Sequence, residues 1–322
     1  MKKRSLLLFA ILLLLAGVAW ILYDLFVPAP ETVKNPYDYR MDTIRASDSL
    51  TAYRELTPLK PQVPGARCIA FAGAGKVFVG GQGRVELLSG DGRLLNRFSI
   101  AGSASCMVHM DDGNLAIGMD DHLEIWSPGG VKIAEWPAAD SASILTSVAA
   151  GGDFIYVADA GMKVVYQYDR KGTLLSKIGQ KDPVRKIPGF IIPSPYFDVA
   201  VSPSGDLWVA NTGRYRLEKY GADGALLTAW GEPSFAVEGF AGCCNPSHFA
   251  IMPDGSFVTA EKGIERVKIY SPSGVYQCLV AGPESFDEGT RGLDLAAGTG
   301  GVILVLDPER NQVRIFVPQD KR

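Results

Sequence analysis

Phe197 to Gly231, FDVAVSPSGDLWVANTGRYRLEKYGADGALLTAWG, decides how this chain folds. Four short apolar or alternating runs lie in it: Val199 to Val201, Leu207 to Ala210, Arg216 to Tyr220 and Leu226 to Trp230. Ser-Gly, Asn-Thr-Gly and Asp-Gly signals separate them, and such residues reverse an extended chain at little conformational cost. The stretch therefore predicts a four-stranded antiparallel sheet. One such sheet cannot cover both of its faces. Repeated around an axis, it becomes a β-propeller, in which each blade buries its neighbours and closure removes the open edges.

The unit recurs. The first apolar residue of each second strand falls at Val77, Leu115, Ile155, Leu207, Phe257 and Ile303, at intervals of 38, 40, 52, 50 and 46 residues. These intervals bracket the blade period of roughly 40 to 50 residues, so six blades are expected. Five third strands lead through a Gly turn (Gly92, Gly130, Gly172, Gly224, Gly274) into a fourth. The sixth, Val313 to Phe316, meets Pro318 and the terminus instead. Leu50 to Leu56, an alternating run just before blade 1, is expected to supply the missing strand and close the ring.

Leu207-Trp208-Val209-Ala210-Asn211-Thr212-Gly213, followed by Arg216-Leu217-Glu218-Lys219-Tyr220 and Ala222-Asp223-Gly224, resembles the NHL repeat. Ile155 to Gly172 resembles it as well, and blade 5 does so with Glu261 where the family usually has Asp. The resemblance extends over residues 49 to 318 and implies a six-bladed NHL-type propeller. It implies no particular activity, because propellers host unrelated functions.

The chain opens with a basic cluster, Lys2-Lys3-Arg4, and then runs apolar from Leu6 to Val27 with Asp24 as its only charge. Those 22 residues, at about 1.5 Å each, span about 33 Å of helix, enough for a hydrocarbon core of about 30 Å. The expected organisation is a signal anchor or transmembrane helix over 1–27, a Pro-containing polar linker over 28–48 and the propeller over 49–322. Gly17-Val18-Ala19 offers a cleavage site as the alternative. The basic end stays cytoplasmic, which puts the propeller on the extracytoplasmic, periplasmic side. The expected partners are the membrane, through the N-terminal helix, and another extracytoplasmic protein or a small ligand. A net charge of −3 gives no basic footprint for nucleic acid.

Strand order fixes where chemistry can sit. Loops from strand 4 to the next strand 1, and from strand 2 to strand 3, share one face. Two of the former are long, Ile178 to Phe197 and Gly231 to Ser247, and their content (Phe190, Ile191, Ile192, Tyr196, Phe235, Phe240) is too apolar to be merely solvated. Long loops in a compact domain are commonly functional, and these are expected to fold over the channel mouth or meet a partner.

Aligning the inner strands on Ile69, Met107, Val148, Val199, Phe249 and Leu293 isolates the residue before each: Cys68, Cys106, Ser147, Asp198, His248 and Gly292. With Cys243-Cys244 close to His248, these residues suggest a soft site of Cys243, Cys244, His248, Cys68, Cys106 and Asp198 for zinc, copper or iron, or for redox chemistry. The bland alternatives are that Cys68 and Cys106 are small buried hydrophobes, and that Cys243-Cys244 is a strained disulfide or inert packing. Lys262 or Arg266 is expected to supply the cationic setting a reactive thiolate needs. One position earlier, Arg67 and Arg291 fall in adjacent blades and could hold an anion, unless local acids pair with them. Asn211 and Glu261 recur at the strand 2 to strand 3 loops, as ligand contacts or as braces of the turn.

The sequence has no Ser-His-Asp order, phosphate loop or dinucleotide fingerprint. The expectation is a binding or scaffold module. A metal-dependent hydrolase or lyase, of the kind that lactonase-like and amidating-lyase-like propellers represent, is the alternative.

Overall fold

The computed structural model describes residues 11–19, 52–184 and 187–319. Residues 11–19 are helical. Among the described residues no helix is long and apolar enough to cross a membrane; most of the expected anchor, 1–27, and the whole linker, 28–48, lie outside them.

The remaining described residues form six antiparallel sheets. Blade 1 contains β2 (Cys68–Phe71), β3 (Val77–Leu88) and β4 (Leu94–Ser103). β3 is one long element: its first part, to Gly80, pairs β2, and its second part, from Gln82, pairs β4, with a register shift at Gly83. Blade 2 is β5 (Cys106–His109), β6 (Leu115–Met119), β7 (His122–Trp126) and β8 (Lys132–Trp136). Blade 3 is β9 (Leu145–Gly151), β10 (Phe154–Asp159), β11 (Val164–Asp169) and β12 (Leu174–Ile178). Blade 4 is β13 (Val199–Val201), β14 (Leu207–Asn211), β15 (Arg216–Tyr220) and β16 (Leu226–Trp230). Blade 5 is β17 (His248–Ile251), β18 (Phe257–Ala260), β19 (Val267–Tyr270) and β20 (Tyr276–Ala281).

Blade 6 holds β21 (Asp294–Ala297), β22 (Ile303–Asp307) and β23 (Gln312–Pro318), and its outer strand is β1 (Tyr53–Leu59). The N-terminal strand thus closes the ring, a few residues later than Leu50 to Leu56. β1 runs antiparallel to β23, with Tyr53 opposite Pro318 and Leu59 opposite Val313. Glu55 fastens the pair through Arg314, 2.8 Å from its Nε, and that guanidinium also lies over the rings of Phe286 and Phe316.

Period-2 alternation sorts side chains into the spaces between blades. On β14, Leu207 and Val209 join the cluster shared with blade 3, while Trp208 and Ala210 join the one shared with blade 5. Six buried apolar clusters result, one at each junction, the last joining Leu304, Leu306 and Ile315 of blade 6 to Ile69, Val77 and Val79 of blade 1. Each innermost strand packs on the next, from β2 round to β21 and back to β2.

Two turn glycines are fixed by this packing. Gly172 and Gly274 have φ of 89° and 82°, and a Cβ there would lie 2.5 and 2.4 Å from the indoles of Trp136 and Trp230 in the preceding blade. Backbone conformation and neighbour both require glycine.

The register also defines two faces. Turns joining strands 1 to 2 and 3 to 4 make the turn face; the other connections make the loop face. Tyr53 lies at the turn face, where a Cβ on Gly301 would be 3.5 Å from its hydroxyl.

Candidate functional site

The inner strands of all six blades line a central cavity of about 240 Å³. Its loop-face end is polar, with Arg67, Ser105, Thr146, Asp198, His248 and Asp294, and its turn-face end carries Phe71, His109 and Ile251.

Pairing corrects the sixth member of the inner-strand column. His248 pairs with Ala260, three residues into β18, and the residue three into β22, Leu306, pairs with Asp294. Asp294, not Gly292, stands there. Several column residues fasten one blade to the next. Ser147 Oγ accepts Val199 N at 3.2 Å, Asp198 Oδ2 accepts Phe249 N at 2.7 Å, and Asp294 Oδ2 accepts Ile69 N at 2.7 Å. Burial pushes the Asp198 carboxyl up, opposed by the charge of His248. Burial lifts Asp294 further, to about 6, with His248 opposing and Asp198 adding. His248 Nδ1 is buried with no hydrogen-bond partner among the described residues. Its ring meets Tyr196 edge-on at 5.8 Å.

The remaining expected ligands divide: Cys106 lines the same cavity, whereas Cys68 does not. Cys68 packs into the core between blades 1 and 2, with Sγ toward Ala104 O at 3.8 Å, and a Cβ on Gly80 would lie 2.8 Å from that sulfur. Cys106 packs between blades 2 and 3. Burial raises both thiols, Cys106 to about 12, so each is a neutral, apolar-type side chain at neutral pH. The one group of three or more ligating side chains close enough for one ion among the described residues is His122, Glu124 and Glu135, outside the expected set. Lys132 Nζ already lies 2.9 Å from Glu124 and 2.7 Å from Glu135.

Arg67 and Arg291 are likewise separated in role. Arg67 reaches the cavity and lies 3.6 Å from Asp120. Arg291 is exposed and does not line the cavity, and Asp287 pairs with Arg310.

Asn211 and Glu261 brace the loops rather than face the channel. Both are about 1% exposed. Asn211 Oδ1 accepts Ile191 N at 3.0 Å and its Nδ2 donates to Glu218 at 3.0 Å. Asp159, at the same strand end in blade 3, accepts Ile144 N at 2.9 Å. Glu261 accepts Ala241 N at 2.7 Å and holds two buried cations, Arg266 at 2.9 Å and Lys268 at 2.7 Å. Those cations in turn bind loop carbonyls: Arg266 those of Phe235, Ala236 and Gly239, and Lys268 those of Val237 and Gly239. Arg266 is therefore committed to the long loop and is not the partner of the thiols.

Lys262 is that partner. Its Nζ donates to Ser194 Oγ at 3.2 Å, Ser194 Oγ donates to Cys244 Sγ at 3.2 Å, and Cys243 and Cys244 have their sulfurs 3.1 Å apart. The ammonium also lies 4.7 Å from the centre of the Tyr196 ring. Asn245 welds the thiol loop to the Lys262 loop: its amide donates to Lys262 O at 3.0 Å and accepts Lys262 N at 2.9 Å. Ser194 escaped the sequence reading, whose only signal for it was the length of its loop; Tyr196 was visible there only as apolar loop content.

By shape the chain resembles known propellers. A streptogramin B lyase is 14% identical with a TM-score of 0.59, over 86% of this chain and 90% of that one. A catalytically inactive virginiamycin B lyase from Staphylococcus aureus, with quinupristin, is 9% identical with a TM-score of 0.56, over 79% and 80%. The WD40 domain of Doa1 is 14% identical with a TM-score of 0.57, over 84% and 98%. No protein-family model and no curated protein matches the chain by sequence. These likenesses are of fold.

Proposed function

We propose that this chain is an NHL-type binding module, anchored by its apolar N-terminal run on the extracytoplasmic side of a membrane, that takes its ligand at the loop-face mouth of the channel. The observation that carries the reading is the opposition of the two faces. Both long loops and the polar end of the cavity belong to the loop face, whereas the propeller's chain starts at the turn face. On this reading the turn face meets the lipid and the mouth faces away from it.

The outer strands support the same orientation. Leu94, Val131, Leu175, Leu227 and Val275, one from each of blades 1 to 5, are 43 to 66% exposed near the turn-face ends of their strands. A rim of apolar side chains on the turn face suits a lipid surface.

The ligand end is polar. Among the described residues His248 offers an unpaired nitrogen, and Arg67 a guanidinium whose ion pair, with Asp120, is exposed and weak. The test is native mass spectrometry of the full chain extracted from membranes in detergent. A bound small molecule or peptide is expected, with occupancy lost on His248→Ala. Identical bare spectra for both forms would remove the reading.

The same unpaired nitrogen, coupled to the Asp198 and Asp294 carboxyls, favours a second reading as a metal-dependent lyase or hydrolase. Lyases occur among the chains of similar fold. Metal analysis decides it: zinc, copper or iron held in proportion to protein and lost on His248→Ala supports a metal enzyme.

A further inference from the structure

We propose that Cys243 and Cys244 are a thiol–disulfide exchange site, which reduces a disulfide substrate at the loop face and is itself converted to a disulfide between the two adjacent residues. The inference is independent of what the channel mouth binds.

Three features build the site. First, access is divided: Cys243 is exposed, whereas Cys244 is buried beside it. A substrate disulfide therefore reaches Cys243 first, and Cys244 is shielded from side reactions. Second, the electrostatics favour a thiolate at the buried sulfur. Burial acts to raise the Cys244 thiol, but hydrogen bonds from Ser194 and Cys243, together with the bond and charge of Lys262, outweigh it and hold the thiol below its ordinary range. The Cys243 thiol moves the other way, pushed up by its hydrogen bond to Cys244 and then by burial. The reactive form of the pair is therefore the one with a single proton, held on Cys243 and pointed at a sulfur that can take it. Third, the cation is held in place: Asn245 ties the two loops together through both ends of its amide.

The exchange balances as follows. Cys243 passes its proton to Cys244 and attacks one sulfur of the substrate disulfide. The substrate S–S bond breaks, a mixed disulfide forms on Cys243, and the departing thiolate takes the proton from Cys244. Cys244, again a thiolate, attacks the Cys243 sulfur and expels the second substrate thiolate. One thiol and one thiolate enter as protein, one thiol and one thiolate leave as product, and two electrons have moved from the pair to the substrate. The co-reactant is a disulfide, protein or small-molecule, of the sort an oxidising compartment supplies.

Adjacent placement suits reversible exchange. Neighbouring Cα atoms lie about 3.8 Å apart, inside the roughly 4.4 Å lower end of ordinary disulfides; such strain makes the bond easier to reduce, so it opposes the forward step and lets a thiol return the pair to its reduced form, and the substrate disulfide must be the more oxidising partner. Oxidation also removes the thiolate that Ser194 and Lys262 address. Lys262 packs on Tyr196 and Tyr196 on His248, so the oxidation state is felt beside the mouth.

The test uses the full chain in detergent, reduced and then equilibrated with oxidised glutathione. Native alkylation and peptide mapping are expected to show Cys243 and Cys244 joined to each other, with the mass of the intact chain lower by two hydrogens. Cys244→Ser is expected to trap glutathione on Cys243. In Cys243→Ser, the pH at which Cys244 alkylates should rise on adding Lys262→Met, with a roughly tenfold slower reaction at neutral pH if the shift is about one unit. A pair that stays fully reduced, a glutathione adduct that persists on Cys243 in the unsubstituted chain, or a Cys244 pH profile indifferent to Lys262 would each overturn the proposal.

Discussion

Glu261→Ala should loosen the loop over residues 231–247 and lower the stability of the whole propeller. The carboxylate is nearly inaccessible, and the two cations it holds are too: the side chains of Arg266 and Lys268 are 2% and 0% exposed. Removing one member of a buried ionic group leaves the others uncompensated, at a cost of about 3 to 5 kcal/mol. For a domain of this size each kcal/mol moves the melting temperature by roughly 2 to 4 °C, so a fall of about 6 to 20 °C is expected. The deficit depends on pH. Burial already lowers the Lys268 ammonium to about 8, with Glu261 opposing that shift; without the carboxylate it falls further. A lysine depressed in the folded state holds its proton more weakly than in the unfolded chain, so stability rises with pH between the two values. The variant's window starts lower, and its deficit should be larger at pH 6 than at pH 8. Calorimetry at both pH values, with hydrogen exchange over residues 231–247, measures this. A melting temperature within about 2 °C of the parent at both would refute the reasoning.

Other expectations follow from the ring and its polar column. Removing residues 52–60 takes away β1 and exposes the edge of β23, so the melting temperature should drop sharply; Glu55→Ala, which frees only Arg314, should lower it by a few degrees. Asp294 is a carboxyl raised to about 6, so the folded state holds its proton more tightly. Its contribution is full below the ordinary carboxylate range and is lost as pH rises through about 6. Asp294→Asn should therefore flatten that part of the melting temperature against pH, and should match or exceed the parent in stability at pH 7 to 8. Gly274→Ala meets both the positive φ and the Trp230 ring, and strain of this sort costs on the order of 1 to 3 kcal/mol, read as a lower denaturation midpoint with unchanged slope.

The six blades were legible because their signals are local. Alternation at period 2 and turn glycines need no knowledge of the partner strand, and the shortage in blade 6 pointed to the chain's own beginning. The column failed in that blade for an equally physical reason. Leu293 and Leu295 are separated by one full period, both are buried in the same cluster, and a shift of two residues preserves every alternation. Only pairing with β22 distinguishes them. The thiol pair was visible as two adjacent cysteines, but not its setting. Ser194 lies 50 residues from Cys244 and 68 from Lys262, contacts that exist only because consecutive blades bring their loops together. Arg266 illustrates the converse: near in sequence to the candidate site, it is drawn away by Glu261. Cys68 and Cys106 share a column with Asp198, yet their sulfurs turn into the spaces between blades, where only packing decides direction.

The central claim is that one face of the propeller meets ligand and the other meets lipid. Photocrosslinking in intact membranes tests it, with benzoylphenylalanine at Phe235 on the loop face or at Leu227 on the turn face of the full chain. The account predicts lipid adducts from position 227 and none from position 235, whose adducts should be to a non-lipid ligand. Lipid adducts from position 235 with none from 227 would contradict it.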